Sequence, residues 1–287
     1  MRKKFLMFAA LVGALVMVSC SGGNKKQDKP TVYPEELEYA QQVINYYHTS
    51  LGVLKGMVQE KGVNAVLGYM EQGGKAPAIP PIAPPAVNAK DTALLMNPGD
   101  YFNIDTQETL IHTYEGLFQA RNQFYANFDT YLSYIKAKKF ADASKLLNTA
   151  YDLSVKMTEY KQDIFDILSP FTEKAEQLLL ANEPMKDQMI AVRKMAANMQ
   201  SILNLYARPH VMDGMRLNLK MEELKKELAA AKQLPAVSGH EAEVKSYNDF
   251  LANVDKFLVD MQKAIDKGSY DAEVYNLLIT EYGISII

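Results

Sequence analysis

Four histidines and the acids near them are the first residues of this 287-residue chain that could do chemistry. His112, His210 and His240 each have a carboxylate three residues later, at Glu115, Asp213 and Glu243. On a helix that spacing puts imidazole and carboxylate on one face. His112 also has Glu108 one turn earlier, so Glu108, His112 and Glu115 form a row of nitrogen and oxygen ligands that a metal ion could use. Surface ion pairing accounts for the same residues. Acids are about one residue in eight, so such offsets also arise by chance. Carboxylate-bridged metal bundles draw a Glu-x-x-His pair from each of two helices plus further glutamates, and that order is absent. His240, with Glu241 and Glu243, fits the first turn of a helix beginning near Ser238. No cofactor is expected, and surface salt bridges are the preferred account of Glu108, His112 and Glu115.

Seven methionines lie between Met185 and Met221, and Met185/Met189 and Met195/Met199 are one turn apart. A soft ion such as Cu(I) could use that spacing. Three of these four fall on or beside an apolar face, where methionine acts as adaptable core filling. Arg121 occupies a core position in an otherwise apolar and aromatic row. A buried guanidinium requires a partner, so Arg121 is expected to fix helix register; recognition of a carboxylate or phosphate, and snorkelling to solvent, are the alternatives. Seventeen tyrosines accompany no tryptophan, and most tyrosines fall on apolar seams. No nucleophile elbow, glycine-rich phosphate loop or metalloprotease helix occurs.

Helices must position all of these residues. Pro34-Glu35-Glu36 is a helix start, with proline in the first turn and carboxylates at the positive end of the dipole. Leu37, Ala40, Ile44, Tyr47, Leu51, Leu54 and Val58 then recur at threes and fours, with a weaker continuation to about Gly74. "KAPAIPPIAPPAVNAKD" (75–91) holds five prolines, each lacking a donor and biasing its predecessor away from α. A loop over about 73–104 is therefore expected, laid over the core by Ile79, Ile82 and Val87. A second helix begins near Thr106 as cap and carries Leu110, Tyr114, Leu117, Arg121, Phe124, Phe128, Tyr131 and Ile135. The third runs from Phe140 to Leu178, with Pro170 expected to kink it near Asp166. The fourth starts at Met185, is bent or broken by Pro209 near Leu205, and resumes through Met212 and Leu219 to Leu228. The fifth spans Val244 to Ile265, and a short sixth runs from about Tyr270 to Tyr282. No strand alternation appears. The expected fold is all-α: an elongated antiparallel bundle of about five long helices plus a short C-terminal helix, forming a single domain over 34–287.

The stretch "YLSYIKAKKFADASKLLNTAYDLSVKMTEYKQDI" (131–164) resembles the YiiG-like family of bacterial lipoproteins, which carry an α-helical domain of unknown function. The similarity lies in the aromatic and lysine-rich turn of Tyr134, Lys138, Lys139, Phe140 and Asp142, and in the earlier Asn45-Tyr46-Tyr47 helix. It covers roughly Glu35 to Tyr282. The resemblance implies a helical, membrane-anchored, non-cytoplasmic protein and supplies no catalytic residues. Over four residues only, "HTYE" at 112–115 is similar to the H-x-x-E element of imelysin-like, iron-linked lipoproteins.

The N-terminus points to the same location independently. Arg2, Lys3 and Lys4 precede an apolar run from Phe5 to Val18, too short for a membrane span of about 20 residues and typical of a secretory signal. Met17-Val18-Ser19-Cys20 resembles a lipobox, so residues 1–19 are expected to be removed and Cys20, the only cysteine, to carry the lipid. Two or three acyl chains exceed what stable anchoring needs. No thiol would then remain for disulfides or catalysis. Residues 20–33 form a polar tether. Residues 1–19 hold three basic and no acidic side chains, leaving 28 basic against 34 acidic and a net charge of −6, which argues against nucleic acid as a partner. The expected function is a lipid-anchored, non-enzymatic binding or structural module of the cell envelope, on the outer membrane facing the periplasm. Its partners are then the membrane, through Cys20, and an envelope protein. The alternative is a metal-linked or small-ligand-binding periplasmic lipoprotein using Glu108, His112 and Glu115.

Overall fold

The computed structural model describes residues 32–57, 60–73, 86, 88–207 and 214–282. Among these the chain is all-α: α1 Pro34–Met57, α2 Glu60–Gln72, α3 Ala89–Leu95, α4 Ile104–Lys136, α5 Phe140–Leu179, α6 Lys186–Tyr206, α7 Gly214–Ala231, α8 Glu241–Asp266 and α9 Ala272–Tyr282. Residues 1–31, with the expected signal peptide, Cys20 and most of the tether, lie outside the described residues, as do His210, Met212 and the proline run at 74–85.

Several boundaries differ from expectation for local reasons. Asn103, not Thr106, caps α4: its Oδ1 accepts from Thr106 N at 2.9 Å, satisfying one donor of the first turn. The stretch expected to be a loop contains α3, started by Asn88 Oδ1 accepting from Lys90 N at 3.0 Å. Seven residues are too few for a 3.6-residue period to show in sequence. α5 continues through Pro170. In α1 the buried face runs through Ala40, Val43, Ile44, Tyr46, Ser50, Val53 and Leu54, while Leu37 is exposed and Tyr47 and Leu51 sit at its edge. Ser50 broke the apolar pattern because its hydroxyl is buried against the hydroxyl of Tyr114.

The single-domain expectation meets a chain that divides into two compact units, one over 38–175 and the other holding 176–207 and 214–282. Periodicity shows that a helix has an apolar face, not which helix covers it. In the N-terminal unit α4 and α5 are antiparallel, joined by a short turn in which Lys138 takes a left-handed conformation (φ 59). There, the nitrogens of Lys138 and Lys139 close back on the carbonyls of Ile135 and Tyr134. The row on α4 predicted from spacing, Leu110 through Tyr131, is buried, Arg121 included. Each large apolar side chain so buried contributes roughly 1.5–3 kcal/mol. Phe102 packs edge-on against both Tyr46 (5.1 Å) and Phe171 (5.0 Å).

The C-terminal unit is built on α6, whose last three turns are buried almost all round. Leu180, Met185 and Met189 pack with Ile190, Val237 and Val244, and Gln188 Nε2 donates to Pro235 O at 2.7 Å, tying the 232–240 connection to α6. Asp271 Oδ1 accepts from the nitrogens of Glu273 and Val274 and starts α9.

Candidate functional site

Glu108, His112 and Glu115 lie together on the solvent face of α4. His112 Nδ1 stands 3.4 Å from Glu115 Oε2, with side chains 82% and 57% exposed, and Glu108 is exposed as well. An ion pair so open contributes little. Among the described residues no three His, Asp or Glu side chains converge to hold a metal ion. His240 is the N-cap residue of α8 without a side-chain cap bond, and the acid beside it, Glu241, accepts from Gly239 N at 3.0 Å.

The four methionines at helical spacing, Met185, Met189, Met195 and Met199, are all buried, as core filling requires. Of the later methionines among the described residues, Met221 is buried and Met215 is exposed. Arg121 is buried and lies over the Tyr125 ring at 5.4 Å from its centroid, with a further contact to Asn122 Oδ1 at 3.2 Å. Burial pulls its guanidinium below the usual arginine range, and Tyr125 opposes that. Both of these contacts lie within α4, so they shelter the buried cation against an aromatic face and do not bear on the expected register between helices.

Tyrosine hydroxyls do work that the seam pattern did not reveal. Tyr46 donates to Leu95 O at 2.9 Å, Tyr131 to Met70 O at 3.1 Å and Tyr247 to Ala231 O at 2.8 Å. All three carbonyls lie in the last turns of helices, α3, α2 and α7, where the backbone has no intrahelical donor. The rings fill the core and the hydroxyls close helix ends from a neighbouring element. Burial pushes these phenols up, Tyr247 to about 12, so they stay protonated donors at any physiological pH. Tyr151 donates instead to Glu71 Oε1 at 2.6 Å, linking α5 to α2.

A groove of about 470 Å³ opens between α4 and α5. Gln123, Asn127 and Thr130 line it from α4, Asp152 and Lys156 from α5, and Leu153 forms part of its floor. The amide of Asn127 is already oriented, donating to Leu146 O at 2.9 Å. Such a lining of two amides, the two hydroxyls of Thr130 and Thr149, and one charge of each sign can hydrogen-bond a polar partner, and it contains no activated nucleophile. Sequence reading followed the apolar seam and passed over this groove. Its signal was the polar row at 123, 127 and 130 alongside that seam. No helix among the described residues is long and apolar enough to cross a membrane.

Comparison with known proteins gives a consistent picture. Residues 34–182 match DUF6845, a domain of unknown function, and residues 184–287 match the DUF3829-like C-terminal domain. The boundary between the matches falls close to the division between the two compact units. The chain is 57% identical to an alpha helical protein from Bacteroides fragilis NCTC 9343, with a TM-score of 0.82 over 89% of this chain and 100% of that one. It is 50% identical to an uncharacterized DUF3829-like protein from Bacteroides thetaiotaomicron VPI-5482, with a TM-score of 0.79 over 88% of this chain and 100% of that one. No curated protein matches.

Proposed function

We propose, for a chain that belongs to the DUF6845 family of unknown function, the role of a lipid-anchored, non-enzymatic binding or structural module of the cell envelope. The observation that carries this reading is the N-terminal sequence: a basic start, a short apolar run, Met17-Val18-Ser19-Cys20, and then a polar tether. That order serves export and acylation. The resemblance to YiiG-like lipoproteins belongs to the same proposal and supports it. The partner is an envelope protein, met on the exposed helical sides, of which the α4–α5 groove is a concave part. The protein sits on the outer membrane, facing the periplasm. The open arrangement of Glu108, His112 and Glu115 favours surface ion pairing over metal binding.

Membrane fractionation of cells producing the wild type and Cys20→Ser tests the reading. The wild type should band with the outer membrane and resist a high-salt wash, and Cys20→Ser should lose that association. A wild type recovered in the soluble fraction, or a Cys20→Ser variant as firmly bound as the wild type, would overturn it.

A further inference from the structure

In the C-terminal unit, Asn198 on α6 faces Glu227 on α7. Asn198 is only 6% exposed, and its Nδ2 donates to Glu227 Oε2 at 3.2 Å, a long bond. Its Oδ1 is buried with no hydrogen-bond partner among the described residues. The Glu227 side chain is 13% exposed, and Lys194 Nζ stands 3.9 Å from its Oε1, beyond hydrogen-bond distance. The half-made pairing follows from the chemistry of the two groups. An ionised carboxylate only accepts, so it can use the N–H of the amide and offers nothing to the carbonyl. Turning the amide over would set oxygen against oxygen. A carboxylic acid differs, because it accepts through one oxygen and donates through the other. Acid and primary amide can then join by two parallel hydrogen bonds, O–H to Oδ1 and Nδ2–H to Oε2.

We infer that Asn198 and Glu227 form a proton-linked clamp between α6 and α7, held by one hydrogen bond when Glu227 is ionised and by two when it is protonated. The proton comes from solvent, attaches to Oε1 and is shared with Asn198 Oδ1. No bond between heavy atoms forms or breaks. Closure gives up the long contact to Lys194 and supplies the missing donor to a buried acceptor.

The charged groups that act on Glu227 pull in both directions. Burial and Glu223 on α7 favour the acid, while the Asn198 amide, Lys194 on α6 and Lys220 on α7 favour the carboxylate. Burial is the largest influence, and the carboxyl is held above the usual glutamate range. A glutamate raised in the folded state binds more protons there than in the unfolded chain. Its contribution is complete below the unfolded value and falls as pH rises through the folded one. The α6–α7 pair should therefore tighten in mild acid.

Nuclear magnetic resonance titration of the full chain tests the clamp. The Glu227 carboxyl should titrate above an ordinary glutamate, and the side-chain amide signals of Asn198 should move with the same midpoint. Glu227→Gln offers a second arm, since a second amide can donate and accept at once and imitates the closed state. It should melt about 2–4 °C above the wild type near pH 7.5, the shift expected when one hydrogen bond is gained in a chain of this size. The difference should disappear near pH 4. Asn198 signals that stay flat while Glu227 titrates, a Glu227 midpoint at or below the ordinary value, or a melting difference independent of pH would each overturn the inference. Should the variant not fold, the wild-type titration decides alone.

Discussion

Gly116 lies in the middle of α4, where glycine costs a helix about 1 kcal/mol relative to alanine. Propensity alone therefore makes Gly116→Ala stabilising. Packing predicts the opposite. A Cβ on Gly116 would sit 2.7 Å from both Cε1 and Oη of Tyr160, and closer still to Cζ, so the α5 ring occupies the space left by the missing methyl. Carbon atoms rest at about 3.5–4.0 Å, and the ring must retreat by about 1 Å to allow this. Overpacking of that kind costs about 1–3 kcal/mol. Tyr160 is only half-buried and can give part of the way, so the lower half of that range applies. The net effect is a loss of about 0–1 kcal/mol once the helix gain is subtracted, in place of the gain that propensity alone predicts. Removing the ring should reverse the sign: in a Tyr160→Ala background, Gly116→Ala should stabilise by about 1 kcal/mol. Urea unfolding of the four proteins, followed by circular dichroism with a constant slope, yields the coupling. A coupling below about 0.5 kcal/mol, the ordinary limit of additivity, would refute the account of the α4–α5 seam and of the groove on it.

The trans-capping tyrosines give a second expectation. Tyr46→Phe should cost about 1–2 kcal/mol by taking the donor from the buried Leu95 carbonyl, and Tyr247→Phe less, because Leu234 N still reaches Ala231 O. Tyr33→Phe, at an exposed ring, should stay within about 0.5 kcal/mol of the wild type, and the same unfolding assay separates the cases. At Lys138, whose φ of 59 is strained for any residue with a Cβ, Lys138→Gly should stabilise the α4–α5 turn by about 0.5–1 kcal/mol, read as a higher midpoint in urea.

The long rows were legible because apolar side chains at threes and fours must share a face, and from Leu110 to Tyr131 that face is the buried one. Arg121 could be placed in the core from spacing alone. Its environment, the Tyr125 ring four residues on, was one helical turn away and in principle readable. What spacing did not supply was the partner of each face, hence one expected domain where contacts form two units. Polar burial was the other gap. Ser50 and Asn198 look like surface residues by type, yet each is buried against a group distant in sequence, Tyr114 and Glu227. Tyrosine was read as a ring, while its hydroxyl at a helix end depends on which element lies beside it. The row of Glu108, His112 and Glu115 was correctly placed on one face of α4; the structure adds only that this face is open to solvent.

The central claim is that this helical chain works from a lipid on Cys20. Intact mass measurement of the protein extracted from membranes, with fragmentation of its N-terminal peptide, tests it most directly. The account predicts a chain that begins at Cys20 and carries a diacylglyceryl group on the cysteine sulfur. A membrane-derived chain that retains residues 1–19, or one whose first residue is an unmodified Cys20 or any other amino acid, would contradict it.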